Sequence, residues 1–334
     1  MTPIPLNPKI FDNDVEQAPI RKGFGEGLLQ AGEEDHNVVA LCADLTESTM
    51  MHLFAKRFPE RYVEVGIAEQ SMASVASGMA AMGKIPFFSS YAMFSPGRNW
   101  EQIRTTICYN HVNAKVVGSH AGISVGPDGG THQAIEDIAL MRVVPRMIVI
   151  APCDAIEAKK ATLAAATYDG PVYIRLAREA TPIVTTEETP FTIGKAELFF
   201  TPKDGMQAKV GIIATGSLVH NALLAARALE SEGIPVKVLD LPTIKPLDEA
   251  AVLLLAQETG AIVTVEEHQR KGGMGSEVAE FLARTYPTKQ EFIGVNDQFG
   301  QSGTPEELLK QYEMDAPSIV AAAKRVIARE GGTK

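Results

Sequence analysis

The sequence is poor in cysteine and in aromatic residues. Among 334 residues there are three cysteines and one tryptophan, and aromatic residues make up 6%. Cys42, Cys108 and Cys153 are far apart, lie in apolar segments and lack the close spacing of metal-binding motifs. They are expected to be buried thiols in a reducing compartment. No apolar run approaches the roughly 18 residues of a membrane span, and the first residues lack the apolar core of a signal peptide. We therefore expect a cytoplasmic protein without membrane contact.

Positive charge is also scarce, since 31 lysines and arginines stand against 41 acidic residues, giving a net charge of −10. No basic cluster and no stripe of basic and aromatic residues stands out. Nucleic acid is therefore not an expected partner. Hydrophobic residues at 45% and charged residues at 22% are typical of a soluble globular protein. The length leaves room for two domains, each with its own core.

Apolar runs of strand length alternate with helical patterns between residues 19 and 178. This alternation predicts a parallel sheet covered by helices on both faces. Strands are predicted at residues 38–43, 62–65, 85–89, 115–119, 147–151 and 172–176. Helices are predicted at residues 48–57, 69–82, 96–109, 132–142 and 155–168.

A second alternation follows a polar, proline-spaced stretch that begins after Arg178. It predicts strands at 210–214, 235–240 and 261–266, and helices at 218–231, 248–258, 275–286, 304–312 and 316–330. The sequence thus predicts an α/β protein of two domains, each a mostly parallel sheet flanked by helices. We place the domains at residues 1–178 and 208–334, with a linker at 179–207.

One carboxylate, Glu69, lies where a predicted strand gives way to a helix of small residues. Apolar residues at helical spacing follow it, so Glu69 should occupy the first helical turn beside packed apolar surface. Burial there would favour a carboxyl that shares a proton near neutrality. An exposed first-turn carboxylate that interacts with the helix dipole is an equally acceptable interpretation of this segment alone.

The loop of residues 120–132 is the second strong candidate. It holds His120, Asp128 and His132 together with four glycines, just after a predicted strand. Glycines allow the backbone to approach a ligand, and imidazoles bind hydroxyls or phosphates and move protons. No matching cysteine or carboxylate set accompanies the histidines, so no metal site is predicted in this chain.

Further polar and aromatic side chains follow other predicted strands, where ligands of open α/β sheets bind. Asp44 and Ser48 follow the first strand, Tyr91 and Phe94 the third, and Arg178 the sixth. The two aromatic residues could belong to the core or stack on a flat heterocycle. Arg178 could bind an anion or form a surface salt bridge.

These segments together resemble the thiamine-diphosphate enzymes of the transketolase family. The most specific segments are residues 65–70 (VGIAEQ) and 129–137 (GGTHQAIED). Residues 44–48 (DLTES), 91–94 (YAMF) and 174–178 (IRLAR) follow in the family order. The likeness covers almost the whole chain and corresponds to the C-terminal half of transketolase, its pyrimidine-binding domain and its small C-terminal domain.

The resemblance implies a role for each candidate residue. Glu69 matches the glutamate that hydrogen-bonds the aminopyrimidine ring nitrogen of the cofactor, and Phe94 matches the aromatic residue that packs on this ring. The implied cofactor-binding set is Glu69, Tyr91, Phe94, Asp44 and Ile67. Glu69 and His132 are the implied catalytic residues, and His132 and Asp128 match residues that contact the reacting hydroxyls of a ketose donor. The implied phosphate-binding set is His120, Arg178, Arg21 and Ser48, whose charges suit an anionic substrate end.

The sequence departs from the family in one respect, since it contains no Gly-Asp-Gly motif. That motif belongs to the family domain that holds the cofactor diphosphate and its divalent metal. The resemblance therefore implies an N-terminal partner subunit that binds the diphosphate and Mg²⁺, and a heterotetramer with sites at subunit interfaces. The small residues of the predicted helix 69–82 would allow the close packing that such an interface requires.

The expected activity is transfer of a two-carbon ketol unit between a phosphorylated ketose and a phosphorylated aldose, in the pentose phosphate route or in catabolism of unusual sugars. A second interpretation is the beta subunit of a 2-oxo acid dehydrogenase, which would have no need of Arg178, His120 and Arg21 together. A third is a deoxyxylulose-phosphate synthase-like enzyme, which normally carries its own diphosphate domain. The fourth, a non-catalytic assembly partner, would be free to lose Glu69 or His132, and both are present.

Overall fold

The structure is a computed structural model that describes residues 4–329. Its strands are β1 (Gln17–Pro19), β2 (Val38–Cys42), β3 (Tyr62–Glu64), β4 (Ile85–Tyr91), β5 (Lys115–Ser119), β6 (Ile148–Ile150), β7 (Val172–Arg175), β8 (Ala180–Pro182), β9 (Glu197–Phe200), β10 (Val210–Ala214), β11 (Val236–Asp240), β12 (Thr243–Lys245), β13 (Ala261–Gln269) and β14 (Lys289–Val295). Its helices are α1 (Ile20–Glu34), α2 (His52–Arg57), α3 (Glu69–Ala81), α4 (Trp100–Gln102), α5 (Asp137–Arg142), α6 (Ala155–Thr167), α7 (Val219–Ser231), α8 (Glu249–Thr259), α9 (Met274–Thr285), α10 (Pro305–Gln311) and α11 (Ala316–Ala328).

A seven-stranded sheet in the order β12-β6-β7-β5-β4-β2-β3 forms the N-terminal part. All neighbours pair in parallel except β12, which is antiparallel to β6. One face of this sheet carries a core that includes Phe24 of α1 and Phe54 of α2, and a second core includes Met72 of α3 and Ile138 of α5. The prediction of a parallel sheet with helices on both faces is therefore confirmed.

A five-stranded sheet in the order β14-β13-β10-β11-β9 forms the C-terminal part, and only β9 is antiparallel to its neighbour. Strand β12 ties the two parts together, whereas β9 pairs only within the second sheet. Strand β9 lies inside the segment predicted as a linker, residues 179–207, and β12 leaves the C-terminal part to join the first sheet. The predicted linker therefore carries paired strands: β9 at the edge of the second sheet, and β8, which forms a two-stranded ribbon with β1.

Helix α1 is an element that the sequence pattern does not indicate, because it contains four glycines and glycine is a poor helix former. The structure gives the reason for these glycines. A Cβ atom on Gly23 would lie 1.7 Å from the carbonyl oxygen of Ala155, so α1 packs directly against the start of α6. Strand β14 was likewise absent from the prediction.

Two predicted helix starts are wrong, and one predicted helix is interrupted. Helix α2 begins at His52, so Ser48 lies in a turn. Helix α5 begins at Asp137, so His132 also lies in a turn. The residues between them form backbone hydrogen bonds outside any helix: the Gly122 N–H donates to the Ala134 carbonyl, and the Gln269 N–H donates to the Ile135 carbonyl. The predicted helix 96–109 is a short α4 followed by a π-helical segment, Ile103–Cys108. Helix α11 ends at Ala328, and residue 330, its predicted end, lies outside the described residues.

The described residues include no helix long and apolar enough to cross a membrane. All three cysteines are free and buried, as predicted.

Candidate active site

The side chains predicted to bind a ligand lie along one edge of the first sheet. Strands β7, β5, β4, β2 and β3 are parallel neighbours, so the residues after their carboxyl ends come together. In this spatial order the edge presents Arg178, His120, Tyr91, Asp44 and Glu69. Asp44 and His120 have positive φ angles, 60° and 55°, which few non-glycine residues adopt and which are frequent at functional sites.

A cavity of about 190 Å³ opens at this edge. Six predicted site residues line it, together with Ala43, Leu45 and Arg98, and these six are Asp44, Ile67, Glu69, Tyr91, Phe94 and His132. Ile67 is 74% exposed, so the cavity has an apolar lip that no described residue covers.

Glu69 is the first residue of α3 and is only 2% exposed. The Ser90 hydroxyl donates to its Oε1 at 3.1 Å, and the Arg98 guanidinium donates to its Oε2 at 2.7 Å. The Asn99 amide donates to the Glu69 carbonyl oxygen at 3.1 Å, which fixes the start of the helix. Glu69 is thus buried, and the alternative of an exposed first-turn carboxylate is wrong.

The Glu69 carboxyl and the Arg98 guanidinium form an ion pair. Arg98 is half-exposed and its guanidinium also lies 5.0 Å from the centre of the Phe94 ring. Arg98 is therefore placed between the carboxyl and the aromatic wall of the cavity.

Aromatic and imidazole rings form the other side of the cavity. The Tyr91 ring is stacked on His120 with centroids 3.9 Å apart, and the rings of Tyr91 and Phe94 lie 6.4 Å apart. His132 meets Phe94 edge-on at 5.5 Å, and its Nδ1 lies 3.0 Å from the Thr131 hydroxyl. The two histidines of the loop thus face the same aromatic pair.

His120 lies between the aromatic pair and two guanidinium groups. Burial first, then the charges of Arg21 and Arg178, lower the pKa of His120 to about 3. His120 is therefore neutral near pH 7, and the expectation that it contributes positive charge is wrong. Arg21 donates to the backbone carbonyl of Arg178, and the guanidinium of Arg178 donates to the Val125 carbonyl at 2.8 Å. The positive charge of this cluster comes from the two arginines.

Two predicted residues are not drawn into these contacts. The side chains of Ser48 and Asp128 make no hydrogen bond or ion pair within residues 4–329, and neither lines the cavity. Asp128 ends a 3₁₀ segment, Ile123–Asp128, and is exposed. Their predicted substrate contacts stay predictions.

Sequence reasoning missed the three side chains that hold Glu69, which are Ser90, Arg98 and Asn99. Ser90 belongs to β4, and Arg98 and Asn99 follow a turn in which the amides of Phe94 and Ser95 both donate to the Tyr91 carbonyl. Only this turn brings Arg98 back to α3. The signal available in the sequence was an arginine four residues after a candidate aromatic residue.

Comparison with known families assigns both parts of the chain. Residues 16–184 match the pyrimidine-binding domain of transketolase, and residues 202–319 match the transketolase C-terminal domain.

Individual relatives match along nearly their full length. A putative transketolase C-terminal section of Methanocaldococcus jannaschii is 45% identical over 92% of this chain and 95% of that protein. A 6-deoxy-6-sulfo-D-fructose transketolase subunit of a Clostridium species is 40% identical over 96% of this chain and 98% of that protein. A solved split-gene transketolase, described as an inactive β4 tetramer, is 43% identical with a TM-score of 0.85, over 92% of this chain and 98% of that one. The chain therefore belongs to the transketolase family, of which it carries the pyrimidine-binding and C-terminal domains.

Proposed function

We propose that this chain is one subunit of a two-chain transketolase that transfers a two-carbon ketol unit between phosphorylated sugars with thiamine diphosphate. The supporting observation is the meeting of three features at one sheet edge: a buried carboxyl, an aromatic wall and a pair of guanidinium groups. A buried carboxyl beside aromatic rings suits a flat, protonatable heterocycle, and arginines suit a phosphate.

Thiamine diphosphate fits the residues that line the cavity. Glu69, Tyr91, Phe94, Asp44 and Ile67 would hold its aminopyrimidine ring. When bound, the cofactor supplies the nucleophilic carbon that accepts the two-carbon unit.

Each side chain has a distinct part in this proposal. Glu69, which is buried and held by Ser90 and Arg98, would hold and move a proton at a ring nitrogen. His132 and Asp128 bind the hydroxyls of the donor. Arg21 and Arg178 neutralise the sugar phosphate.

His120 and Ser48 complete the phosphate site. Because His120 is neutral, it contributes hydrogen bonds and not charge.

A partner subunit would supply what this sequence lacks. We assign the cofactor diphosphate and Mg²⁺ to an N-terminal transketolase subunit, because no Gly-Asp-Gly motif is present here. Three large apolar side chains are exposed before and along α3, with Ile67 74%, Val75 40% and Met82 84% exposed. Large exposed apolar side chains next to a binding cavity favour an interface. We propose a heterotetramer with sites at subunit interfaces, and a cytoplasmic location stays a prediction.

The proposal is tested by reconstitution. The purified chain is assayed alone and with its N-terminal partner, thiamine diphosphate and Mg²⁺, with xylulose 5-phosphate as donor and an aldose phosphate as acceptor. We expect turnover only in the mixture. Turnover by the chain alone would contradict the two-chain assignment, and turnover of 2-oxo acids but not of ketose phosphates would favour the dehydrogenase interpretation.

The role of Glu69 is tested by Glu69→Gln, which keeps the shape of the side chain and removes its acid. We expect kcat of the reconstituted enzyme to fall by about 10²–10⁴-fold, the usual range for an acid or base that moves a proton. Circular dichroism controls for folding. A kcat within twofold of the wild type would remove Glu69 from the mechanism.

The phosphate site is tested by Arg178→Ala. Loss of a charge-assisted hydrogen bond should raise KM for a phosphorylated donor by about 10- to 100-fold. An unphosphorylated ketose donor serves as the control, and its KM should not change. If both donors are affected equally, Arg178 does not bind the phosphate.

A further inference from the structure

The loop of residues 120–132 rests on the C-terminal sheet. Glu267, near the end of β13, is 2% exposed and accepts a hydrogen bond from the backbone N–H of Ser124 in the loop. Its other carboxylate oxygen accepts from the Ser217 hydroxyl at 2.6 Å, in the turn before α7. One carboxylate thus connects the loop to two elements of the C-terminal part.

The loop is shaped to fit this carboxylate. Gly122 has a φ of 91°, and a Cβ atom on it would lie 2.5 Å from the Glu267 carboxyl carbon. Ile123 packs in the core of the C-terminal part. Gln133 donates to the carbonyls of Ile123 and Gln301, at 3.0 and 2.9 Å. The loop backbone therefore takes part of its conformation from groups in the C-terminal part.

We infer that Glu267 is a positioning residue that holds His120 and His132 in place through the loop between them, an inference that rests on the proposed function. Glu267 does not line the cavity. Without its carboxylate, the buried N–H of Ser124 has no acceptor, and a loop with glycines at positive φ gains other conformations. The C-terminal domain then acts on the sugar site without touching the sugar.

The neighbouring residue Glu266 offers a matched control. It is equally buried, but its two oxygens accept from the N–H groups of Met274 and Gly275, at 2.6 and 2.8 Å, at the start of α9. Replacing Glu266 therefore removes a buried carboxylate from the same strand without removing a loop contact.

The first test is hydrogen exchange in the full chain, which needs no activity. In Glu267→Ala we expect the segment 120–132 to exchange at least 10-fold faster than in the wild type, with α9 unchanged. In Glu266→Ala we expect faster exchange in α9 and unchanged exchange in the segment 120–132. Gly122→Ala, which pushes a methyl group into the Glu267 carboxylate, should reproduce the exchange pattern of Glu267→Ala. If Glu267→Ala does not fold, Gly122→Ala is used in its place. Unchanged exchange at 120–132 in both variants would overturn the inference.

The second test measures kinetics with the reconstituted enzyme. Glu267→Ala should lower kcat/KM for the ketose phosphate by about 10- to 100-fold, and leave the half-saturating concentration of thiamine diphosphate within twofold. Glu267→Gln retains an oxygen for Ser124 and should restore the activity, which a loss through general destabilisation would not. Equal losses in sugar and cofactor binding would overturn the positioning role. An inactive wild-type mixture would refute the proposed function alone, since the exchange test stands apart from it.

Discussion

At the residue scale, His120 illustrates how surroundings change the use of a side chain. Its imidazole is 3% exposed, stacked on Tyr91 and held by the Ser119 hydroxyl at 2.9 Å from Nδ1. Arg21 and Arg178 add repulsion to the desolvation of its charged form. The neutral ring can accept or donate a hydrogen bond next to the guanidinium groups without adding to their mutual repulsion.

This environment predicts a pH dependence of stability. The pKa of His120 is about 3 in the folded chain and 6.5 in the unfolded chain, so the unfolded chain binds an extra proton between these values. The contribution of neutral His120 is complete above pH 6.5 and is lost as the pH falls towards 3. His120→Asn should therefore lose stability less steeply than the wild type on acidification, by up to about 1.4 kcal/mol per pH unit. Urea unfolding at pH 4.5, 5.5, 6.5 and 7.5 measures this difference.

The exposed His111 supplies the control for this series. His111→Asn removes an exposed imidazole and is measured in the same series. Parallel slopes for the wild type and His120→Asn would show that His120 titrates normally in the folded chain.

At the element scale, α3 and α1 use glycine for different purposes. The glycines of α1 lie against neighbouring elements, as Gly23 does against the backbone of Ala155 and Gly32 against the ring of Phe54. Gly78 in α3 is exposed, and a Cβ atom on it would meet no atom within 4 Å. Nothing within residues 4–329 therefore explains a glycine at Gly78, whereas the close approach of a neighbouring subunit would explain it.

Alanine substitution separates the two cases. Gly78→Ala should raise the free energy of unfolding of the isolated chain by about 0.5–1 kcal/mol, because alanine is the better helix former. The same change should weaken assembly with the partner, as measured by analytical ultracentrifugation. Gly23→Ala is the matched control and should destabilise the chain. Full assembly of a Gly78→Arg variant would place the interface elsewhere.

The same elements show what the sequence can predict. Glu69 is predictable because its strand, its helix and its apolar spacing all lie within about 20 residues. Helix α1 is not predictable, because two of its glycines, Gly23 and Gly27, lie against α6, more than 100 residues away. The contact of Arg98 with Glu69 is not predictable either, because this ion pair depends on how the turn before Arg98 folds back towards α3. Features set by residues close together in the sequence can be predicted from it, whereas contacts between distant segments cannot.

At the scale of the whole molecule, buried acids lie where the two parts of the chain meet. Cys153 and Glu157 lie around the start of α6, and Asp240 ends β11, with their ligand atoms within 4.8 Å of one another. Neither oxygen of Asp240 meets a donor from the other described residues. Burial first, and then the charge of Asp154, raise the pKa of Glu157 to about 7. Burial first, and then the charge of Glu157, raise the pKa of Asp240. A proton shared by Glu157 and Asp240 supplies the missing donor across the junction.

This pair predicts a pH dependence opposite to that of His120. The folded chain keeps a proton that the unfolded chain releases above pH 4.5, so the stabilisation is complete below pH 4.5 and is lost as the pH rises to about 7. Glu157→Gln keeps an oxygen for the Cys153 N–H, which lies 2.7 Å from the carboxylate, and offers Asp240 an amide donor at every pH. Its advantage over the wild type in urea unfolding should therefore grow between pH 5 and pH 7, by up to about 1.4 kcal/mol per pH unit. A constant difference across this range would show that the proton is absent. In the wild type both effects act between pH 4.5 and 6.5, where they partly cancel. Replacing His120 alone should therefore change the pH dependence of the free energy of unfolding in one direction, and replacing Glu157 alone should change it in the other.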